Sequence, residues 1–366
     1  MELVAGAVLL LLILFGEIRL YRKHGLDGLS YRCAFSDQEA TEGDTLEFFE
    51  TVENAKILPV PWLKAELTVP KWLEFPETHC AVTGEFRFVT GFFSVKGFAR
   101  IRRIWKVSCQ KRGIYQVEHV VLVTTDLLGT VHLSLPASDT GNTIKIFPKR
   151  FTKAGLLLPK LMRQPFGTDS VCFSLSTDPC LPVGIRDYAF GDPIHQIHWK
   201  DSAHAGRLLV RQEEPTAQQT ITVILALQTQ SSDSGKMTQD KLLLEHSIRV
   251  CAQCLWELCK GGWTIRLIAG ENDSQNMILK TPYNSGSSGY HYMMEFLAAL
   301  TLDCPTVISH LLQNCCYRDR QELCLLVTPY TDEQIRQWKN SFNGYVLVTG
   351  HAHDGGNCAD CVVADI

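Results

Sequence analysis

A short stretch of the chain, residues 184–211, concentrates charged, aromatic and turn-forming residues at a density that could support chemistry. It offers a possible general base, two carboxylates and cations able to bind an anion. Glycine and proline at 184, 191 and 193 indicate backbone positions that need a positive or fixed φ. The candidate site residues are Gly184, Arg186, Asp187, Tyr188, Gly191, Asp192, His198, Trp199, Lys200 and Ser202.

One interpretation of this stretch is a hydrolase or transferase with an anion-binding pocket that uses His198 and Asp187. Its weakness is the nucleophile. Ser202 lies between His198 and His204 in sequence, which is poor evidence of a catalytic triad. The chain also contains no G-x-S-x-G elbow, no P-loop and no H-E-x-x-H motif. The enzyme interpretation therefore remains an alternative.

The interpretation that we favour is a structural clamp or docking surface without catalysis. Arg186 and Asp192 would form an ion pair that fixes the segment, with Trp199 and Tyr188 packed beneath it. Buried pairs of this type fix geometry more than they stabilise a fold. The stretch is therefore expected to recognise a partner without turnover.

Histidines at 195, 198 and 204, with Asp192 and Asp201 nearby, also suggest a metal site, because imidazoles and carboxylates are common ligands. The spacing argues against it. On a strand, positions 195 and 198 would point to opposite faces. We expect no metal and no cofactor here.

The same stretch resembles the signature of the domain of unknown function 58 family, G-x-R-x-Y-x-x-G-D-x-x-R-x-I-x-W-x-x-S-A-R. His195 and His204 stand where that family usually carries arginine. Other phrases extend the resemblance over most of the chain, although each also has an ordinary explanation as a turn or as core packing. They are Glu42-Gly43-Asp44, Asn54 with Leu58 to Trp62, Lys111 to Tyr115, and Asp126 to Gly129.

The resemblance implies a C-terminal von Willebrand factor type A-like domain. It also implies a MoxR-type AAA+ ATPase as partner, because family members are often encoded beside such ATPases. By resemblance, the protein is then an adaptor or co-chaperone in the assembly or regulation of membrane or envelope complexes. A non-enzymatic role of this kind agrees with the missing nucleophile.

Length and charge restrict the function classes. With 366 residues and 45% hydrophobic composition, the chain should form two folded domains plus an anchor. A net charge of −4 excludes the strong basic excess of a typical nucleic-acid binder. We therefore expect no nucleic-acid partner.

The N-terminus predicts a membrane anchor over residues 1–22. Residues 3–18 are an almost unbroken apolar run, followed by Arg19, Arg22 and Lys23. A secretory signal peptide would need a basic start and a small-x-small cleavage site, which are missing. The positive-inside rule places the N-terminus outside and the bulk of the chain in the cytoplasm, as a single-pass protein of the cell membrane. The reverse orientation would instead suggest extracellular adhesion.

The 14 cysteines are placed irregularly, which favours free thiols in a reducing compartment over a disulfide framework. Near the C-terminus, Cys358 and Cys361 could form half of a zinc site with His351 and His353. A single C-x-x-C in a polar tail is weak evidence. The tail over residues 351–366 is therefore read as carrying free thiols.

Alternating apolar and polar residues over 27–150 predict an antiparallel β-sandwich. A connector over 151–183 and the signature segment over 184–215 follow. The predicted strands of the sandwich are Thr45–Asn54, Leu63–Val69, Glu85–Val89, Ile101–Ser108, Gln116–Thr124 and Thr143–Phe147.

Residues 216–350 alternate strands with helices, which predicts a mostly parallel, Rossmann-like sheet. The overall class is thus α+β multidomain. A type A domain normally binds a divalent cation through an aspartate after its first strand, but Ala226 occupies that position. The predicted elements are strands at 220–227, 263–269, 322–328 and 345–349, and helices at 238–260, 290–300, 305–316 and 332–342.

Overall fold

The computed structural model forms two compact units, Met1–Lys149 with Met294–Leu300, and Arg150–Met293 with Thr301–Ile366. Each unit is described by itself. The structure describes residues 2–76, 78, 80–126, 129–130, 132–137, 142–151, 175–189, 197–217, 220–229, 240–272, 277–302, 308, 311–312, 323–341, 344–349 and 362–363.

Unit 1 is a helix followed by an antiparallel β-rich body, as the alternating sequence predicts. Helix α1 spans Glu2–His24. The strands pair in orders β1-β3-β8-β5, β11-β10-β4-β7-β6 and β2-β12-β9. They are β1 Leu29–Phe35, β2 Glu39–Thr41, β3 Thr45–Asn54, β4 Val60–Pro70, β5 Leu73–Glu74, β6 Cys80–Thr83, β7 Phe86–Val95, β8 Arg100–Cys109, β9 Gly113–Gln116, β10 His119–Thr125, β11 His132–Pro136 and β12 Thr143–Phe147.

Side-chain alternation explains the core of unit 1. Along β4, every second residue from Leu63 to Val69 is almost fully buried, and the residues between them are half-buried. Phe48 and Phe75 are also buried, and their rings meet edge to face with centroids 5.8 Å apart. Complete burial of an aliphatic or aromatic side chain contributes about 1.5–3 kcal/mol. This core therefore holds the strands in register.

Helix α1 ends in Arg22, Lys23 and His24. Its apolar side chains are exposed at Val8, Leu9, Leu11, Leu12, Ile13, Phe15 and Leu20. Among the helices that the structure describes, none combines the length and the hydropathy needed to cross a bilayer.

Unit 2 contains a six-stranded sheet of order β17-β16-β15-β18-β19-β20. Strands β16, β15, β18 and β19 are mutually parallel, as the alternation of strands with helices predicts. Edge strands β17 and β20 are antiparallel to their neighbours. The strands are β15 Thr220–Leu225, β16 Thr264–Asn272, β17 Met277–Lys280, β18 Leu323–Thr328, β19 Gly344–Val348 and β20 Val362–Val363.

Strands β13 (Leu175–Asp187) and β14 (Leu209–Ala217) form a separate antiparallel pair. The last residues of the predicted connector, 175–183, thus lie in β13. The preceding residues 152–174 are outside the described part of the chain.

The helices after β13 whose bounds the structure describes are α2 Trp199–Ala205, α3 Lys241–Lys260, α4 Gly286–Ala299 and α5 Glu333–Ser341, and the residues of α4 from Met294 onward belong to unit 1. Asp240 is the N-cap of helix α3, and its side chain accepts hydrogen bonds from the amides of Leu242 and Leu243. The apolar face predicted for this helix is confirmed. Leu244, Ile248, Cys251, Leu255 and Leu258 are all buried. Most of the helix predicted at 305–316 lies outside the described residues.

Candidate functional site

The first part of the signature segment is carried by the β13/β14 pair. Arg186 stands opposite Val210, and Asp187 stands opposite Leu209. Asp187 accepts a hydrogen bond from Nη1 of Arg207 at 3.1 Å, and both side chains are about two-thirds exposed. An exposed pair of this kind contributes little to stability. Arg186 and Asp187 therefore present charge to solvent.

The second part of the segment forms a short helix, α2. His198 is the N-cap of α2, and Gly206 ends the helix in the left-handed conformation with φ 65°. The spacing argument against a metal site considered positions 195 and 198 on a strand, whereas residue 198 caps a helix. His195 lies outside the described residues.

His198 makes two contacts through the same ring nitrogen. Its Nδ1 accepts from the amide of Asp201 at 3.3 Å and lies 3.0 Å from Oδ2 of that aspartate. The first contact needs a bare nitrogen, whereas a proton on Nδ1 would be donated to the carboxylate. The position of the ring proton, on Nδ1 or on Nε2, thus decides which group of Asp201 holds the ring.

Ser202 ties α2 to the start of β14. Its hydroxyl is buried, donates to the carbonyl of His198 at 2.8 Å and accepts from the amide of Leu209 at 2.9 Å. The amide of His198 donates to the carbonyl of Leu209 at 2.8 Å, and Ile197 bridges Val210. We call this arrangement of β13, α2 and β14 the clasp.

The clasp uses Ser202 as a brace, because its hydroxyl is engaged by backbone groups on both sides and is shielded from water. A nucleophile needs a base in hydrogen-bond reach and an approach for substrate. The described contacts of this hydroxyl go to main-chain atoms. They support the non-catalytic interpretation of Ser202.

Trp199 requires a correction. The sequence predicts that it packs beneath the polar groups, but the indole is 63% exposed. Residues 199–205 form a helix, and its buried position is Ser202. Two further apolar residues of the segment, Ile185 and Leu208, are each 46% exposed. Tyr188 is half-buried.

The exposed set around the clasp is therefore Arg186, Asp187, Trp199 and Lys200. Gly184 lies within β13 opposite Gln212. Gly191 and Asp192 lie outside the described residues, so the Arg186–Asp192 pair stays a prediction. Two cations, an anion and an indole are thus exposed on the clasp, and such groups suit recognition of another protein surface.

The carboxyl edge of the parallel sheet is the second place where a ligand is expected in such folds. Ala226 follows β15 there, is fully buried and donates its amide to the carbonyl of Val327 at 2.9 Å. A methyl group supplies no oxygen for a hard cation. The absence of an adhesion-type cation site stays a prediction.

Sequence reasoning missed a group of buried polar residues at this edge. The hydroxyls of Ser247 and Thr349 are 2.6 Å apart, and the amide of Thr349 donates to the carbonyl of Thr328 at 2.8 Å. Gln228 is buried and accepts from the amide of Ile308 at 3.0 Å. The sequence did contain a signal for this group, because two of the predicted parallel strands each end in a threonine, Thr328 and Thr349. These neutral side chains are hydrogen-bonded to one another or to the backbone, which stabilises this edge of the sheet.

In unit 1, the phrase Lys111 to Tyr115 proves to be structural. Arg112 is 4% exposed, and its Nη1 donates to the carbonyls of Leu297 at 2.5 Å and Leu300 at 2.9 Å. A Cβ on Gly113 would lie 2.6 Å from the ring of Tyr115, so glycine is required by close approach. Trp62, expected to be core or edge packing, is 63% exposed.

Together, the β-rich first unit and the mixed sheet of the second define an α+β protein with a braced strand–helix–strand motif. Residues 184–337 match the model of the family described as "Protein of unknown function DUF58". This match supports the family that the signature resembles. No protein in the curated set matches the chain.

Solved structures with local similarity include a non-cellulosomal cohesin from the archaeon Archaeoglobus fulgidus, at 17% identity over 32% of this chain and 91% of that chain, TM-score 0.24. The CARDB domain of a Pyrococcus furiosus protein matches at 11% identity over 32% and 91%, TM-score 0.22. The sporulation control protein Spo0M of Bacillus subtilis matches at 13% identity over 32% and 49%, TM-score 0.20. Likeness at these TM-scores carries no conclusion about this chain.

Proposed function

We propose that this chain is a membrane-anchored, non-enzymatic scaffold or adaptor that works with a MoxR-type AAA+ ATPase on membrane or envelope complexes. The non-enzymatic part of the proposal rests on the hydrogen bonds and exposure of the side chains of the clasp. The Ser202 hydroxyl bonds to backbone groups within the clasp, whereas the charged side chains and the Trp199 indole face solvent. The ATPase as partner rests on the family resemblance.

We propose further that unit 2 is von Willebrand factor type A-like. The four parallel strands β16, β15, β18 and β19, with antiparallel β17 and β20 at the two edges, support this. Ala226 makes cation-dependent adhesion a poor fit. The domain then acts as a protein-binding scaffold.

The anchor is α1. Residues 3–15 are all apolar, so the helix is apolar on every side. The exposed side chains at 8, 9, 11, 12, 13 and 15 cover about 200° of the circumference of a helix with 3.6 residues per turn. A helix that is apolar all round belongs in a bilayer or in a core. The sequence-based placement of the bulk of the chain on the cytoplasmic side is part of this proposal.

The docking role is tested by affinity capture of the full chain from solubilised membranes. Trp199→Ala should reduce capture of the ATPase at least about tenfold, because truncating an interface aromatic commonly costs about 2 kcal/mol or more. Leu242→Ala is the matched control, since Leu242 is also a large exposed apolar residue of unit 2, at 83%. It should capture normally.

Unchanged capture by Trp199→Ala, Arg186→Ala and Lys200→Ala together would contradict the docking role of the clasp. Hydrolysis or group transfer that depends on His198 and Asp187 would favour the enzyme alternative. Thermal unfolding of each variant shows whether a lost interaction reflects lost folding.

A further inference from the structure

Two exposed apolar side chains occupy neighbouring loops at one end of unit 1. Ile57 is 81% exposed in the loop between β3 and β4, and Phe98 is 73% exposed in the loop between β7 and β8. We call these two residues and their loops the paired tips. Single exposed apolar residues are common, but two large ones held together on adjoining loops form a local apolar feature of the kind that marks an interaction surface.

The paired tips are built as one rigid feature. The amide of Phe98 donates to the carbonyl of Lys56 at 3.0 Å. Asn54 is buried and donates from Nδ2 to the carbonyls of Leu58 at 2.9 Å and Lys96 at 3.1 Å. A Cβ on Gly97 would lie 2.3 Å from the carbonyl oxygen of Ile57, so only glycine allows the loops to approach so closely.

Phe98 is also held in an unfavourable backbone conformation. Its φ is 54°, and it is the one non-glycine residue with positive φ in the described part of the chain. A bulky residue in the left-handed region is strained. Because its ring is exposed, packing within the unit does not offset this strain. A strained backbone conformation that is not offset by packing suggests a functional role for the residue.

The paired tips lie against the end of α1. The hydroxyl of Tyr21 donates to the carbonyl of Pro59 at 3.1 Å, and Nζ of Lys56 donates to the carbonyl of Gly25 at 2.5 Å. The amide of Ala55 donates to the carbonyl of Gly28 at 2.8 Å. Phe15, the last strongly exposed apolar residue before this junction, is six residues from Tyr21, or about 9 Å along a helix.

The charges at this end suit a lipid headgroup layer. Arg22, Lys23 and Lys96 are exposed there. Two of the nearby acidic residues have partners, since Asp27 contacts the imidazole of His24 at 2.7 Å and Glu53 pairs with Arg100 at 3.6 Å. Lysine and arginine near a bilayer surface are attracted to anionic lipids.

We infer that the paired tips insert Ile57 and Phe98 into the interfacial layer of an anionic phospholipid bilayer, beside the point where α1 enters it. This inference rests on the proposed anchor and extends it. The apolar surface of α1 and the two tips then form one continuous lipid-facing surface. Unit 1 is held against the bilayer by a second contact as well as by its helix.

The test places an environment-sensitive fluorescent amino acid at position 98 of the full chain, reconstituted in phosphatidylcholine–phosphatidylglycerol vesicles. A matched variant carries it at position 92, another exposed phenylalanine of unit 1, at 65%. We expect a blue shift and quenching by brominated lipids at position 98 and neither at position 92. Vesicle flotation is measured on the same samples.

The outcomes separate the two proposals. If the chains float with the vesicles but the fluorophore at position 98 is not quenched, the anchor is retained and the paired-tip inference is wrong. Chains that do not float overturn the anchor itself. A blue shift at position 98 without lipid quenching indicates contact with protein, such as a second copy, and also overturns the inference.

A second variant tests whether Phe98 is there for packing. Phe98→Gly should be at least as stable as the wild type, because glycine adopts positive φ without strain and no buried contact is lost. A clear fall in thermal stability would show that the ring packs within unit 1 and would contradict the inference. Gly97→Ala should destabilise the loops through its contact with Ile57 and serves as the positive control.

Discussion

At the residue scale, a buried carboxyl at the centre of unit 1 sets a measurable pH dependence. Glu50 is fully buried and accepts hydrogen bonds from the hydroxyl of Tyr31 at 2.7 Å and from the indole of Trp105. Burial raises the pKa of the Glu50 carboxyl above its ordinary value of 4.5, although both donors lower it. Desolvation is the larger effect.

The sign of the pH effect follows from the raised pKa. As pH rises past 4.5, Glu50 loses its proton first in the unfolded chain, so its contribution to stability is greatest below that pH and falls until the folded form also titrates. Glu50→Gln cannot titrate. We therefore expect the stability of the wild type relative to Glu50→Gln to decrease from pH 4 to pH 7.

Hydrogen exchange of the β3 peptide, Thr45–Asn54, measures this for unit 1 alone. Glu66→Gln is the control, because Glu66 is a half-exposed residue of the neighbouring strand β4. The opposite slope would mean that the donors Tyr31 and Trp105 outweigh burial and lower the pKa of Glu50.

The cysteines provide a second test at this scale. None of the seven cysteines whose side chains the structure describes forms a disulfide, as their spacing predicts, and Cys315, Cys316, Cys358 and Cys361 lie outside the described residues. Burial raises the pKa of Cys109 to about 11 and that of Cys251 to about 12. Thiolate is the reactive form, so each thiol should react at least about 100-fold more slowly at pH 8 than an ordinary cysteine.

Alkylation followed by peptide mass spectrometry checks this order. The partly exposed Cys80 serves as the internal reference and should be modified first. Urea should make Cys109 and Cys251 react at similar rates to Cys80. Rapid modification of Cys251 without denaturant would show that α3 opens readily, contrary to its complete burial.

At the element scale, the clasp depends on Ser202. Ser202→Ala removes the acceptor of the Leu209 amide and the donor to the carbonyl of His198. A buried polar group left unsatisfied costs about 1–3 kcal/mol. We expect faster amide exchange in α2 and at the start of β14, with little change elsewhere in unit 2.

His204→Ala is the control for the clasp, since His204 is an exposed residue of the same helix. Exchange as slow as in the wild type in Ser202→Ala would contradict the bracing role. In that case the exposed set around α2 would have to be positioned by other contacts.

Helix α4 offers a parallel test within unit 1. The last carbonyls of a helix lack partners inside the helix, and Arg112 supplies two hydrogen bonds to this region at Leu297 and Leu300. Arg112→Ala should cost about 1.5–3 kcal/mol, the range for hydrogen bonds to a charged group, and should speed amide exchange over residues 294–300. Arg100→Ala, an exposed arginine, should leave that exchange unchanged.

Elements with long periodic patterns were predictable from the sequence. Strands β3 and β12 have the predicted bounds because alternating side chains define a strand with one buried face. Helix α2 was not predictable. It has seven residues, and its cap is histidine instead of the usual serine, threonine, aspartate or asparagine. A tertiary hydrogen bond from Leu209 to Ser202 helps to hold it.

The site was predictable in its residues but not in their partners. Sequence reasoning selected Asp187 and Ser202, yet the register of β13 and β14 brings Arg207 to the first and Leu209 to the second. Such pairings depend on which strand lies opposite, and residue spacing does not encode that. The exposure of Trp199 was missed for a different reason, because residues 199–205 form a helix whose buried position is Ser202.

At the scale of the whole molecule, the proposed anchor and adaptor role require the bulk of the chain to face the cytoplasm. The basic residues that follow the apolar run, Arg22 and Lys23, favour this orientation. In intact cells, an impermeant maleimide should label Glu2→Cys and should leave Cys80 unmodified until the membrane is permeabilised. Mass spectrometry assigns the label to each cysteine, and Cys80 is a suitable reporter because it is partly exposed in unit 1. Labelling of Cys80 before permeabilisation would place unit 1 outside the cell, where a cytoplasmic ATPase cannot reach it, and extracellular adhesion would then replace the adaptor role.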